Sequence, residues 1–411
     1  MSGSPLQDSL HLWYLADPQT PEPVGEIRLV MRHRGVSLRY GPHWLAHGFP
    51  LSEDLPLIDA EHFPREKDTA AGAVDDARPD RWGERVIRLL DRPPRLSLLE
   101  YLHHAGDERF GALGVSTSAD RYQPHPFGPL PGLQDLDAIH AVVQRVLADE
   151  PVDERQKRLI APGATMGGAR PKALVRLEGA VWVLKFAEKD RPDEPLIEHA
   201  TMTLAARAGI TVAQTRPVPL ARGAAVAVRR FDRVDGRRVH ALSANVALKA
   251  AGAELTYPDL ARLLRRRGAI ATHRAEMHEL FRRLVFNILV DNTDDHEKNH
   301  VLLVSPDQHY RLAPAFDVLP IASSLGYQAL GVGEHGAESS IDNALTAAPH
   351  YWLTRQSAVD EARRVARVVD GWHGHFTGQG LSVRSIDELA HHVDRPFLLE
   401  QRRALTSIGT A

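Results

Sequence analysis

The sequence predicts an α+β protein in which an N-terminal part of short strands and helices precedes a mainly helical C-terminal part. Residues 24–30 and 36–40 alternate apolar and polar side chains, which is the pattern of half-buried strands. Towards the C-terminus the apolar residues recur at helical spacing instead, over residues 257–267, 273–290 and 358–369. With 411 residues, 43% of them hydrophobic, the chain is long enough for two or three packed domains.

The N-terminal part is divided in order by strand, helix and loop signals. Residues 9–58 read as short strands and turns, and helices are expected to begin near Arg81 and near Leu96. A proline-rich loop follows at residues 123–131, and residues 133–147 have the spacing of an amphipathic helix.

Composition narrows the class of protein. The formal net charge of −3 gives no sign of a protein that binds nucleic acid through bulk charge. The absence of cysteine excludes disulfides and fits a reducing compartment. The first residues lack the basic and apolar regions of a signal peptide, and no run approaches the ~20 apolar residues of a membrane span. We therefore expect a soluble, cytoplasmic protein without a membrane partner.

The segment at residues 292–299, Asn-Thr-Asp-Asp-His-Glu-Lys-Asn, is the most informative stretch of the chain. It follows the predicted helix at 273–290, and its Asn and Asp side chains favour a loop because they hydrogen-bond to nearby backbone. A predicted hairpin comes next, so that Asp294, Asn299 and Asp317 should converge in space. This order of helix, polar loop, hairpin and second Asp is the one in which a phosphotransferase assembles a base and two Mg²⁺ ligands around ATP.

The same segment contains His296-Glu297-x-x-His300, which matches the zinc-metalloprotease pattern letter for letter. A zinc helix needs its two histidines one turn apart on a continuing helix, whereas this pair opens in a polar loop and runs into a β-branched strand. No third ligand is signalled at a useful distance, although His335 is a candidate. A zinc metalloprotease is therefore the more distant alternative. A structural alternative also stays open, in which the two aspartates only cap or solvate the loop.

A glycine-rich segment lies upstream, at residues 163–172. Its paired Gly167 and Gly168 let backbone N–H groups approach an anion closely, and Lys172 adds positive charge. It is not a Walker A loop, because no Gly-Lys-Ser/Thr follows. Together with Ala169, these residues are candidates for ATP binding.

Two predicted strands follow, and Lys185 is the only charged residue within the second of them. A lysine held there would point into a cleft and reach ATP phosphates. The structural alternative is an edge-strand lysine that faces solvent. Glu198, on the next predicted helix, is a candidate partner for Lys185. A further strand leads to Phe231, where we expect a hinge between two lobes and a contact to ATP.

Several separate motifs occur in one order along the chain. They are Pro-Asp-Arg-Trp-Gly at 79–83, Gly-Asp-Glu-Arg-Phe-Gly-Ala-Leu-Gly at 106–114, Gly-Gly-Ala-Arg-Pro-Lys at 167–172, Arg-Phe-Asp-Arg at 230–233, His-Ala-Leu-Ser-Ala at 240–244, the segment at 292–299, and Ala-Pro-Ala-Phe-Asp at 313–317. With these motifs the chain resembles, over nearly its whole length, HipA-type serine/threonine kinases, the toxin half of bacterial type II toxin–antitoxin pairs.

The resemblance implies a two-lobed, protein-kinase-like α+β fold with an extra N-terminal α+β subdomain and a mainly helical C-terminal lobe. The N-terminal HipA-type subdomain would span residues 1–122. The nucleotide-binding part of the smaller lobe, with its glycine-rich loop, would span residues 132–235, and the helical kinase lobe residues 236–411.

The resemblance also implies roles for site residues, with ATP and Mg²⁺ as cofactors. Asp294 matches the catalytic aspartate, which accepts or orients the proton of the substrate hydroxyl, and Lys298 supplies compensating positive charge. Asn299 and Asp317 match the Mg²⁺ ligands. Lys185 matches the phosphate-binding lysine.

Regulation and partners follow from the same resemblance. In the family the glycine-rich loop carries a self-phosphorylated serine and can be ejected, which shuts the enzyme off, and Thr165 stands nearest that serine position. The implied partners are a HipB-type DNA-binding antitoxin, with DNA reached only through it, and a protein substrate, which in some relatives is an aminoacyl-tRNA synthetase. The alternative is an ATP-binding corepressor or interaction module with little kinase activity.

Overall fold

The computed structural model describes residues 8–161, 163, 168–188, 191–321 and 324–407. Within these residues the chain forms the strands β1 (Ser9–Tyr14), β2 (Glu22–Val30), β3 (Gly35–Tyr40), β4 (Glu61–His62), β5 (Leu113–Ser116), β6 (Lys172–Leu177), β7 (Ala180–Lys185), β8 (Thr215–Pro219), β9 (Ala224–Arg229), β10 (Arg233–Val234), β11 (Arg237–Arg238), β12 (His240–Ser243), β13 (Val301–Val304) and β14 (Tyr310–Leu312).

The described residues also form the helices α1 (Pro42–His47), α2 (Arg81–Leu90), α3 (Leu98–His104), α4 (Leu136–Leu147), α5 (Glu154–Lys157), α6 (Glu194–Arg207), α7 (Ala244–Ala250), α8 (Tyr257–Arg267), α9 (His273–Leu289), α10 (Ile341–Thr346), α11 (Arg355–Val369), α12 (Trp372–Gly378), α13 (Val383–Val393) and α14 (Pro396–Ser407). Short 3₁₀ helices lie at Met31–His33, Gly72–Ala77, Leu133–Asp135 and Ala348–Tyr351.

The chain divides into two compact units. The first contains the described residues up to Phe186 together with Arg229–Leu242. The second contains the described residues of Ala187–Val228 and Ser243–Ala411.

The first unit is built on an antiparallel sheet with the strand order β4-β3-β2-β1-β5. Leu10, Ile27 and Leu38 lie in register across its three central strands and are buried. Such cross-strand apolar rows are the unit of sheet stabilisation. Helix α3 packs on this sheet and begins with a capping box, in which Ser97 and Glu100 each accept a hydrogen bond from the other's backbone N–H. The strands and the two helices predicted for this region are confirmed.

The β6–β7 hairpin continues the first unit. Its strands pair in register from Lys172 opposite Lys185 to Leu177 opposite Ala180. The two turn residues, Glu178 and Gly179, both have positive φ, at 50° and 79°. Two such residues form the type I′ turn, whose twist matches that of the strands it joins.

The second unit is mainly helical, as predicted for the C-terminal part. Helix α9 lies at its centre and packs against α8 and α11. Its apolar residues are buried, and from Arg283 to Leu289 the helix is buried on all sides. The helix spans His273–Leu289 where the periodicity predicted 273–290. Among the described residues, none of the helices combines the length and apolar content that a bilayer crossing requires.

Helix α14 and the residue before it bind the end of α9 and the loop that follows: Arg402 lies 3.5 Å from the Leu289 carbonyl. The buried guanidinium of Arg402 donates to the carbonyl of Val393 at 2.7 Å and to the carboxylate of Asp370 at 2.9 Å, and it also pairs with Asp394. Arg395 donates to the carboxylate of Asp291 at 2.8 Å. The loop that follows α9 therefore starts from an anchored residue.

Candidate active site

The loop at residues 291–300 is organised around a buried carboxylate. Asp295 is 3% exposed, and its Oδ2 atom accepts a 2.8 Å hydrogen bond from the Asn287 amide of α9 and another from the Tyr257 hydroxyl of α8. The Nε2 atom of His300 lies 2.8 Å from the same oxygen. Three donors on one buried carboxylate offset the cost of its desolvation and fix the loop between the two helices.

Asp294, one residue earlier, is exposed. Its backbone carbonyl accepts hydrogen bonds from the His296 N–H at 2.8 Å and from the Asn299 amide at 3.2 Å. The backbone of Asp294 is thus held while its carboxylate stays accessible, which is what a residue that meets a substrate hydroxyl requires. Lys298 is also exposed, and its backbone N–H donates to His296 Nδ1 at 3.2 Å.

Asn299 presents a buried oxygen. The side chain is 5% exposed, and while its Nδ2 atom bonds to Asp294, its Oδ1 atom finds no hydrogen-bond partner among the residues that the structure describes. A buried amide oxygen left without a donor is costly in a protein interior. It is also a ligand that a hard cation such as Mg²⁺ accepts. The buried Oδ1 atom of Asn299 is therefore suited to bind a metal ion.

The β13–β14 hairpin returns the segment around Asp317 to Asn299. The Ala313 N–H donates to the Val301 carbonyl at 2.9 Å, which continues the pairing past the end of β14. One small cavity is then lined from both sides of the hairpin, by Asp295, Asn299 and His300 on one and by Ala315, Phe316 and Val318 on the other, together with residues of α6 and α9. Asp317 itself is buried and has a left-handed backbone with φ of 58°. Non-glycine residues held in this conformation cluster at functional sites.

Arg283 is an arginine that lines this cavity. It projects from α9, donates to the Ala313 carbonyl at 2.7 Å and pairs with Glu279 one turn earlier. Burial lowers the pKa of Arg283, although the Glu279 carboxylate opposes this. The guanidinium therefore positions the chain just before Asp317.

Neither Arg283 nor the partners of Asp295 were predicted from the sequence. One feature of the sequence could have indicated the partner Asn287. It is a polar residue three positions after Leu284, among the apolar residues of the predicted helix, and it is buried in α9. A buried polar residue without an obvious local partner indicates a tertiary hydrogen bond.

The glycine-rich segment is only partly described. Gly167, Thr165 and their neighbours at 164 and 166 lie outside the described residues. Gly168 has a φ of 65° and Ala169 is exposed.

Lys172, at the end of this segment, is fully buried, and its ammonium donates to the Asp80 carboxylate at 2.5 Å and to the Gly168 carbonyl at 2.7 Å. Its backbone carbonyl accepts from the Trp82 indole at 2.8 Å. Lys172 thus connects the glycine-rich segment to the start of α2.

Lys185 and Glu198 are buried, at 3% and 2% exposure. The alternative of an edge-strand lysine facing solvent is therefore wrong for Lys185. The expected pairing between these two residues stays a prediction. Phe231 is half-buried, and its ring meets that of Phe110 edge-on at 6.3 Å.

The zinc-protease pattern lacks the structure that its chemistry needs. The segment from His296 to His300 contains no helix, so the two rings are not presented from one helical face. His300 is buried with its Nε2 atom on the Asp295 carboxylate, which leaves that nitrogen engaged. His335 lies in a separate loop, where its backbone N–H donates to the side-chain oxygen of Asn343.

The comparisons with known proteins identify the family. The model of the HipA-like C-terminal domain matches residues 164–373. The chain belongs to this family. The solved structure of HipA from Shewanella oneidensis, in complex with HipB and operator DNA, aligns with a TM-score of 0.67 over 96% of this chain and 97% of that one, at 18% identity. The predicted α+β class is confirmed, and the fold is that of HipA.

Two relatives from Sinorhizobium fredii also match this HipA-like chain. The protein described as "Putative kinase Y4mE" is 27% identical over 313 residues, which cover 70% of this chain and 73% of that protein. "Putative kinase Y4dM" is 30% identical over 159 residues, which cover 34% of this chain and only 37% of that protein.

Two of the motifs of this HipA-like chain interlock within the first unit. The buried Asp232 carboxylate accepts from Arg230 at 2.6 and 2.9 Å, from Arg233 at 2.9 Å and from the Gly111 N–H at 2.8 Å. Both arginines also donate to the Arg109 carbonyl, at 3.0 and 2.7 Å. Burial alone would raise the pKa of Asp232, but the two guanidinium groups hold it well below its usual range. The segments at 106–114 and 230–233 are thus one buried ionic network.

Proposed function

We propose that this chain is a HipA-type serine/threonine protein kinase, which transfers the γ-phosphate of ATP to a Ser or Thr hydroxyl of a cellular protein. The observation that carries the proposal is the pairing of an exposed Asp294 with a buried Asn299 whose amide oxygen has no donor among the described residues. The family membership, the kinase names of the two relatives and the shared HipA fold support it.

Each residue of the loop has a physical role in this proposal. The Asp294 carboxylate orients the substrate hydroxyl and accepts its proton. Asn299 and Asp317 would hold Mg²⁺, which when bound would neutralise charge on the phosphates. The exposed Lys298 adds positive charge, and the hydrogen bonds to Asp295 fix the conformation of the loop. The buried Arg283 fixes the approach to Asp317 through the Ala313 carbonyl.

ATP binding is proposed for residues of the glycine-rich segment and the strands around it. Backbone N–H groups of Gly167, Gly168 and Ala169 would face the phosphates, and Phe231 would contact the nucleotide. Lys172 would act mainly through the ion pair with Asp80 that supports this segment.

The remaining ATP and regulatory assignments rest on the family. Lys185 would reach the phosphates with Glu198 as its partner. Thr165 is the proposed site of self-phosphorylation. We further propose a cytoplasmic location and a HipB-type antitoxin as partner, since Shewanella HipA is in complex with HipB and operator DNA. An aminoacyl-tRNA synthetase is one candidate substrate.

The test is transfer of labelled phosphate from ATP with Mg²⁺, to the chain itself and to proteins of a cell extract, followed by mapping of the modified residue. The wild type is compared with Asp294→Asn and with Asp307→Asn, which changes an exposed aspartate in the turn of the β13–β14 hairpin. Label in the wild type and in Asp307→Asn but not in Asp294→Asn supports the proposal.

An ATP-binding corepressor gives a different result. ATP and Mg²⁺ would then stabilise the wild type, by about 2.7 kcal/mol at 100 times the dissociation constant, without transfer in any variant. Stabilisation by zinc alone, abolished by His296→Ala, would instead restore the metalloprotease hypothesis.

A further inference from the structure

Three potential metal ligands from separate segments meet in the first unit, far in sequence from the proposed active site. Asp91 follows α2, His104 is the last residue of α3, and His125 lies in the proline-rich loop. The Nδ1 atom of His104 is 3.8 Å from one Asp91 oxygen, and the Nε2 atom of His125 is 3.6 Å from the other. One ligand atom from each residue lies within 4.8 Å of the other two. We call these three residues the histidine–aspartate cluster.

Hydrogen bonding does not explain the cluster. Both nitrogen–oxygen distances exceed that of a hydrogen bond, and the Nδ1 atom of His104 is buried with no hydrogen-bond partner among the described residues. The rings of His104 and His125 lie edge to face with centroids 4.6 Å apart, and a third ring, that of His103, stands 5.0 Å from each. Three imidazoles and one carboxylate are therefore packed together, and the contacts between imidazole nitrogens and the Asp91 carboxylate among the described residues are the two long ones of 3.6 and 3.8 Å.

The spacing is instead close to that of a metal site. Ligand atoms at 2.0–2.1 Å from a tetrahedral ion lie about 3.4 Å from one another. The contacts of 3.6 and 3.8 Å run to the two different oxygens of Asp91, and one ligand atom from each residue lies within 4.8 Å of the other two. The three side chains would therefore have to move closer together to hold an ion. Two imidazole nitrogens and one carboxylate form a donor set that suits Zn²⁺ and its neighbours, whereas Mg²⁺ and Ca²⁺ prefer oxygen ligands.

We propose that Asp91, His104 and His125 bind one Zn²⁺ ion, with water in the fourth position. The loop that carries His125, residues 117–132, contains no helix or strand. A bound ion ties this long loop to the ends of α2 and α3. Metal binding of this kind adds directly to folding free energy, because the unfolded chain does not hold the three ligands together.

The test is calorimetric titration of the whole, metal-stripped chain with ZnCl₂ in the absence of nucleotide, with bound zinc counted by elemental analysis. The variants are His125→Gln and Asp91→Asn, which keep polarity and approximate size at partly exposed positions. The matched control is His47→Gln, which breaks the exposed pair of His43 and His47, whose rings are 5.0 Å apart on α1. This control matters because the chain has 22 histidines, any of which can bind zinc weakly.

We expect one tightly bound Zn²⁺ per chain in the wild type and in His47→Gln. Loss of an outer-shell partner alone weakens metal sites about 10- to 100-fold, so loss of a ligand should weaken this one by at least as much. Zinc should also raise the melting temperature of the wild type and of His47→Gln, but not that of the two cluster variants.

Equal zinc affinity in the wild type and both cluster variants overturns the proposal, as does the absence of a tight site in the wild type. Circular dichroism of each variant without zinc shows whether it is folded, and Asp91→Asn serves if His125→Gln is not. The kinase proposal does not depend on this result, because the cluster shares no residue with the loop at 291–300.

Discussion

The amide of Asn287 donates a 2.8 Å hydrogen bond to the buried carboxylate of Asp295, while the adjacent Asp294 is exposed. Two neighbouring aspartates of one loop thus have different environments. Asp295 takes its donors from two helices and from His300, and it sets the loop conformation. The Asp294 carboxylate is exposed, and its proposed role is in phosphate transfer. This division can be tested by changing each residue alone.

Asp294→Ala should abolish phosphate transfer and leave the fold intact. Removal of an acid–base group lowers turnover by about 10²-fold or more, whereas an exposed substitution changes the free energy of unfolding by at most about 0.5 kcal/mol. Labelled-phosphate transfer and urea denaturation measure the two quantities on the same preparation. Asp307→Ala is the control. Unchanged turnover in Asp294→Ala contradicts its assignment as the base.

Asp295→Ala should have the opposite profile, with a large loss of stability. The change leaves the Tyr257 hydroxyl, the Asn287 amide and His300 without their shared buried acceptor. Breaking a buried, hydrogen-bonded charge costs about 3 kcal/mol or more. The shift in the urea midpoint of Asp295→Ala is compared with that of Asp294→Ala. Equal midpoints for the two variants would show that Asp295 does not organise the loop.

Asp317→Asn should weaken binding of ATP only when Mg²⁺ is present. Asparagine tolerates the left-handed backbone at this position, so the substitution removes charge without new backbone strain. Loss of a carboxylate ligand should reduce the Mg²⁺-dependent part of the affinity by at least about 10-fold. Calorimetric titration with ATP is done with Mg²⁺ and again with EDTA, with Asp307→Asn as the control. An equal loss of affinity under both conditions would mean that Asp317 acts on the nucleotide directly.

Protonation of His240 should make the first unit less stable below neutral pH. Its Nε2 atom donates to the Leu51 carbonyl at 2.9 Å, and burial lowers the pKa of this histidine, although that carbonyl opposes the shift. A histidine whose folded-state pKa is lowered contributes stability that is fully present above its unfolded pKa of about 6.5 and is lost as the pH falls from there towards the folded value. The contribution changes by at most about 1.4 kcal/mol per pH unit.

Urea midpoints of the wild type and His240→Phe at pH 7.5, 6.5 and 5.5 measure this effect. The wild type should lose stability more steeply than the variant below pH 6.5, and the exposed-site variant His47→Gln should follow the wild type. Parallel pH profiles for wild type and His240→Phe would assign the acid sensitivity to other groups.

Local elements were largely predictable from the sequence. Helix α9, the β13–β14 hairpin and the position of a polar loop between them follow from periodicity and turn residues, whose effects act over a few positions. The hairpin in turn predicted that Asp294, Asn299 and Asp317 would converge. Asn299 and the neighbours of Asp317 line one cavity, and the convergence of all three side chains stays a prediction. The chemical roles of these residues remain predictions, to be tested as described above.

The partners of buried polar groups were not predictable in this way. Lys172 was expected to add positive charge at the ATP site, and this stays a prediction, but its protein partner could not be predicted. In the structure its ammonium is bonded to Asp80, 92 residues earlier in the chain. In the same way the zinc-protease pattern matched in letters, but the loop conformation imposed by Asp295 is incompatible with a zinc helix.

The sequence by itself determined the α+β class, the order of the elements and the spacing of Asp294, Asn299 and Asp317, because these depend on residues close together in the chain. Only the tertiary structure decided which aspartate is buried and which is exposed, and which histidines gather around Asp91. The physical reason is that burial and hydrogen-bond partnership are set by segments that are distant in sequence, and no local pattern encodes which of them will meet.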